Sequence, residues 1–131
     1  MSVTLNPFLR QVLFADAAVS GAAALLMAAG APFLSPLLGL PSGLLFWAGM
    51  VLIPFVATLL VVARRGRAPG FLLVDIVALN ALWVAASFGV LVTAAVEPTL
   101  LGFAFVIAQA LVVALFGWLQ FSGLRRQTAQ A

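Results

Sequence analysis

The chain has 131 residues, of which 66% are hydrophobic and 7% charged, with mean hydropathy +1.29; a soluble domain carries roughly 25% charged residues. Its six basic residues, all arginine, and three acids leave a net charge of +3, and because the positive charge lies in short flanks of apolar segments it reads as membrane topology and not as a nucleic-acid surface. With no Cys and no His, disulfides, thiolate catalysis, iron–sulfur clusters, the usual zinc, copper and haem ligands and the commonest general base are excluded.

In chain order, a short polar lead, Met1 to Leu5, is followed by Asn6-Pro7. Asn caps free helix N–H groups and Pro suits the first helical position, so helix one is predicted over about 7–29. The run Gly30 to Gly43 carries three prolines, three glycines and no charge. It is too apolar for a hydrated loop and is expected to lie in the membrane interface, with one short helical turn. Helix two is predicted over about 44–63, kinked at Pro54. Arg64-Arg65-Gly66-Arg67-Ala68-Pro69-Gly70 forms a tight basic turn, helix three covers about 71–95, and Glu97-Pro98 turns directly into helix four, about 99–124. The polar tail from Arg125 is expected to fray. Each segment supplies the roughly 20 apolar residues that span a bilayer core about 30 Å thick. The fold class is therefore all-α: a polytopic four-helix membrane bundle with short loops, in one domain over 1–131.

Orientation follows from the arginines. Arg10 precedes helix one, Arg64, Arg65 and Arg67 follow helix two, and Arg125 and Arg126 follow helix four, while the other two connections carry none. Cytoplasmic loops collect basic residues, so both termini are expected in the cytoplasm of a multi-pass cell-membrane protein, a bacterial inner-membrane one. Arg10, the apolar run after it and Ala29-Gly30-Ala31 imitate a cleavable signal. Pro32 just past that cut and the length of the run mark helix one as retained.

Polar groups inside apolar helices are costly and are the candidates for chemistry. Asp16 and Asp75 sit toward the cytoplasmic ends of helices one and three, and both are expected to act as shallow counter-ions of the nearby arginines, with proton exchange as the alternative. Ser20, one turn beyond Asp16, shares its face. Thr58 and Gln120 come from the same leaflet and are helix-packing polar residues. Asn80 and Gln109 lie near the midplane, where the short connection between helices three and four is expected to make them hydrogen-bond each other. Trp47 and Trp118 fit the interfacial aromatic belt. Trp83 does not, and its indole N–H, on the side of Asn80 and Ser87, needs a partner. Asp16, Asp75, Asn80, Trp83 and Gln109 are thus the ligand- or proton-binding candidates. Glu97, at the outer start of helix four, suits the helix dipole as a cap.

Ala17, Gly21, Ala24 and Ala28 form a small-residue stripe on helix one, expected to admit a neighbouring helix of the same chain. No catalytic constellation is present: His, Cys, Lys and Tyr are absent, the three carboxylates lack metal-ligand spacing, and no phosphate-binding loop precedes a Lys. The chain is expected to be no enzyme, with neither cofactor nor metal.

In length, helix number, an acid in helix one (Asp16) and a Trp in helix three (Trp83, in NALWVAASFG), the chain is similar to small multidrug resistance transporters, dimers whose helix-one Glu exchanges protons for cations. Here the acid is Asp and lies nearer the boundary, no longer motif matches, and the arginine bias implies one orientation. The similarity is one of architecture, and no site is carried over from it. Two functional readings follow. One is a non-enzymatic accessory, scaffolding or lipid- and partner-binding role, with the lipid bilayer and other membrane proteins or a second copy as partners and no nucleic acid. The other is an oligomeric proton-coupled transporter using Asp16, Asp75 or both.

Overall fold

Helix α1, Pro7–Ala29, starts as Asn6-Pro7 predicts: the Asn6 side chain accepts from Leu9 N–H at 2.7 Å and Pro7 occupies the first turn. The computed structural model describes residues 2–93 and 97–130, with side chains from 3 to 126 within them. Helix α2, Ala31–Leu38, forms in the Pro- and Gly-rich connection. It is longer than the single turn expected there, because Pro32 falls in its first turn, where no donor is needed, and Gly39 ends it at φ 67°. Helices α3, Ser42–Arg65, α4, Gly70–Val92, and α5, Leu100–Gln130, follow. The expected end of helix three at residue 95 lies outside the described residues. Helix α5 continues through the tail that was expected to fray.

The chain lead is not loose either. Strand β1, Ser2–Thr4, pairs antiparallel with strand β2, Arg67–Pro69, which occupies the basic turn between α3 and α4. Gly66 makes that turn possible: at φ 69° it adopts the left-handed conformation that a Cβ disfavours, and its N–H closes α3 onto the Val62 carbonyl. Arg10, instead of meeting an acid, donates from Nε to the Ala63 carbonyl at 2.7 Å and from a terminal nitrogen to the Arg64 carbonyl at 3.3 Å. These are carbonyls a helix end leaves without partners. At the other end of the bundle the start of α5 is capped by Thr99, whose hydroxyl accepts from Gly102 N–H at 3.1 Å and donates to Leu37. Glu97, expected as the cap, is exposed outside the helix.

Four helices, Pro7–Ala29, Ser42–Arg65, Gly70–Val92 and Leu100–Arg126, are long and apolar enough to cross a membrane. Their outward faces expose large apolar side chains such as Phe33, Trp47, Phe71, Leu100 and Trp118, the surface a lipid-facing bundle presents. The chain is a small multi-pass membrane protein. Helix α1 packs along α3, α4 along α5, and α1 also meets α5. The small-residue stripe makes the first pairing: a Cβ on Gly49 of α3 would come within 2.7 Å of Ala28 N and 2.8 Å of the Ala24 carbonyl. Two apolar clusters close the bundle at its ends. Leu9, Leu13, Leu59, Val62, Leu73 and Ile76 fill the arginine-bearing end, and Ala31, Leu38, Leu40, Leu45 and Val106 the α2 end.

Candidate functional site

Between those two clusters the bundle interior carries buried polar side chains among its apolar ones. Asp16 is 1% exposed, roughly 14 Å along α1 at 1.5 Å per residue, and so lies well inside the helix and not at its boundary. Its partners are neutral. Ser20 donates to Oδ1 at 2.7 Å, Gln120 Nε2 to Oδ2 at 2.6 Å and Asn80 Nδ2 to Oδ2 at 3.4 Å. Asn80 Nδ2 also donates to Gln120 Oε1 at 2.6 Å. Asp16, Asn80 and Gln120 thereby close a three-membered ring contributed by α1, α4 and α5. The expected arginine counter-ion does not meet it among the described residues; Arg10, six residues upstream, is turned about 120° away around α1 at 3.6 residues per turn and bonds the α3 carbonyls instead.

A second polar set lies closer to the α2 end. Trp83 Nε1 donates to Gln109 Oε1 at 2.7 Å, and Gln109 Nε2 donates to Ser87 Oγ and the Val106 carbonyl, each at 2.9 Å. Ser87 donates to the Trp83 carbonyl at 2.7 Å. Asn80 and Gln109 therefore do not meet. Gln109 and Gln120 are three turns apart on α5, about 16 Å, and the packing of α4 on α5 sets Gln120 against Asn80 and Gln109 against Trp83 and Ser87. Thr58, assigned to helix packing, donates to the Pro54 carbonyl at 2.9 Å within its own helix.

Helices α3 and α4 make little backbone contact, although β2 ties them together at one end. Above β2 they part around a cleft of about 520 Å³, within the roughly 300–1,000 Å³ of small-molecule sites. Its walls include Val51, Leu52, Pro54 and Phe55 from α3 and Leu72, Ile76, Leu79 and Leu82 from α4, with Ser20 of α1 and Val113 of α5 behind them. Asp75, exposed in the second turn of α4, lines it too, and makes no hydrogen bond or ion pair among the described residues. Asp16 is not on this wall; Ser20 and Asn80, two of its three partners, are. A second cavity of about 260 Å³ opens on the opposite side, between α1 and α5, and Trp83 borders both. The indole is thus a partition in the middle of the bundle.

Of the residues singled out in the sequence, Asp16, Ser20, Asn80 and Gln120 come together in one network, and Trp83 and Gln109 in another. Asp75 and Thr58 join the cleft wall. Gln120 was assigned only to packing; its place in the Asp16 ring depends on how α1 and α5 align, and no local pattern encodes that. No group of three or more acid, His or Cys side chains able to hold a metal occurs among the described residues. No protein-family model, curated protein or solved structure matches the chain.

Proposed function

We propose that this is a non-enzymatic lipid-binding protein of a bacterial inner membrane, with both termini in the cytoplasm, whose α3–α4 cleft takes a lipid chain from the bilayer. The observation that carries this reading is the cleft itself: about 520 Å³ between two bilayer-facing helices, walled mainly by aliphatic and aromatic side chains. An opening between lipid-facing helices admits an acyl chain directly from the bilayer, and the apolar part of the wall holds it by dispersion. The small-residue stripe supports this role over self-association, because Gly49, Ala24 and Ala28 are already used between α1 and α3.

Native mass spectrometry of the protein released from micelles tests it. The wild type should retain phospholipid mass. Ala86→Phe, which fills the cleft from its wall, should lose that mass, and Ala104→Phe, on an exposed face of α5 outside the cleft, should keep it. A lipid-free wild type, or equal retention in both variants, would count against the reading.

One observation favours proton-coupled transport as a second reading: Asp75 lines the cleft with no partner among the described residues, where a mobile proton or cation would need an acid. Asp16, shut behind Ser20 and Asn80, supports the binding role instead. Flux into reconstituted vesicles under a pH gradient, lost in Asp75→Asn or Asp16→Asn, would promote transport.

A further inference from the structure

The polar atoms on the cleft wall share one property. Every hydrogen-bond donor among them is already committed inside the protein. Ser20 O–H is given to Asp16, Thr58 O–H to the Pro54 carbonyl, and Trp83 N–H to Gln109. The Asn80 amide has two hydrogens, and it spends them on Asp16 and Gln120. What remains for an occupant is acceptor capacity: the Asn80 carbonyl oxygen, which accepts no bond among the described residues, the lone pairs of Ser20 and Thr58, and the unpaired carboxyl of Asp75. Among the described residues, the Asp75 side chain is also the sole ionisable group on the wall.

Such a surface selects for a molecule that brings its own donors and a positive charge. Position narrows the choice further. Leu72 and Asp75 bring the cleft into the first two turns of α4, beside the end of α3 that carries Arg64 and Arg65 and the strand that carries Arg67. Those three side chains are exposed and make no hydrogen bond or ion pair among the described residues. An acid on the wall of an apolar cleft, with three exposed arginines where α3 runs through β2 into α4, matches a zwitterionic headgroup, its ammonium toward Asp75, its phosphate toward the arginines and its chain along the cleft.

Resting on the lipid-binding reading above, we propose that the occupant is a phospholipid whose headgroup ends in a protonated primary amine, the class of phosphatidylethanolamine, selected by the N–H donors it offers to Asp75. Phosphatidylcholine is the sharpest comparison. It has the same phosphate and the same ammonium charge, but three methyl groups replace the N–H donors.

The test uses the chain's three tryptophans and lack of tyrosine. Trp47→Phe with Trp118→Phe leaves Trp83, on the cleft wall, as the one indole reporter. This protein is placed in unbrominated phosphatidylcholine vesicles and titrated with lipids of identical brominated chains carrying ethanolamine, choline or glycerol headgroups. The ethanolamine lipid should quench Trp83 at about ten-fold lower mole fraction than the choline lipid, the size of one hydrogen bond to a charged group. Asp75→Asn should bring the two within about two-fold; should that variant not fold, the headgroup comparison on the reporter protein decides alone. Equal quenching by ethanolamine and choline lipids overturns the amine proposal and leaves the lipid cleft standing. Strongest quenching by the glycerol lipid also overturns it, because the arginines would then set the choice. Quenching by none of the three overturns the lipid-binding reading itself.

Discussion

Asn80 and Gln120 should be energetically coupled, and Asn80 and Gln109 should not. In Gln120→Leu, Asp16 Oδ2 loses its 2.6 Å bond and keeps the 3.4 Å one from Asn80, and Asn80 loses its own 2.6 Å acceptor. A bond to a charged group contributes about 1.5–3 kcal/mol and a neutral one about 0.5–1.5, while interhelical bonds measured within a membrane average about 0.6 with a maximum near 1.7. The two losses in Gln120→Leu therefore come to roughly 2–3 kcal/mol, and Asn80→Leu to about 2. Since one bond is removed by both substitutions, the double variant should cost about 1–1.5 kcal/mol less than the sum of the singles. The control pair, Asn80→Leu with Gln109→Leu, shares no hydrogen bond and should be additive to within about 0.5 kcal/mol. Reversible unfolding in mixed detergent–SDS micelles, followed by circular dichroism, measures all five variants and the wild type. Additivity for Asn80 and Gln120, or equal coupling in the control pair, would refute the ring.

Gly49→Val should lose about 2 kcal/mol or more by driving α3 off Ala24 and Ala28, whereas Gly43→Ala, which meets nothing within 4 Å, should be close to neutral in the same unfolding assay. Arg10→Ala removes the side chain that caps the α3 carbonyls, so it should cost about 1 kcal/mol and speed amide hydrogen exchange in the last turn of α3 and in β2, leaving the α2 end unchanged. Trp83→Phe should lower stability by about 1 kcal/mol through the freed Gln109 oxygen, and Gln109→Leu should shift the emission of a Trp83-only protein; an unchanged spectrum would contradict that bond.

What was legible in the sequence is what short-range pattern encodes. The four spans follow from run length, the start of α1 from Asn6-Pro7, the face shared by Asp16 and Ser20 from helical spacing, and a close intrachain contact on α1 from small residues at intervals of three and four, though not that α3 is the helix that makes it. Trp83 was legible as a misfit: an indole in mid-span, bordered by Asn80 and Ser87, had to find a partner, which is Gln109. The Asp16 ring was not legible, because it joins α1 to α5 across more than 100 residues of sequence. The counter-ion expectation failed for a related reason: arginine is long enough to reach many acceptors, and Arg10 satisfies bare helix carbonyls that no charge count reveals. Residue counting likewise set Asn80 level with Gln109, since it assumed that α4 and α5 align by their midpoints. β1 is not signalled by composition, and of α2 only a single turn was. The first is three residues long, and the second lies among prolines that are compatible with a helix only at particular positions.

The claim that a lipid chain occupies the α3–α4 cleft is tested most directly by photocrosslinking. Phosphatidylethanolamine carrying a diazirine near the middle of one acyl chain is reconstituted with the protein, irradiated, and the adducts mapped by peptide mass spectrometry. Adducts should concentrate on the cleft walls, Val51 to Thr58 of α3 and Leu72 to Ala86 of α4, and be displaced by an excess of unlabelled ethanolamine lipid. Adducts spread evenly over the exposed outer faces, Leu100, Leu111 and Leu115 among them, and insensitive to competitor would contradict it.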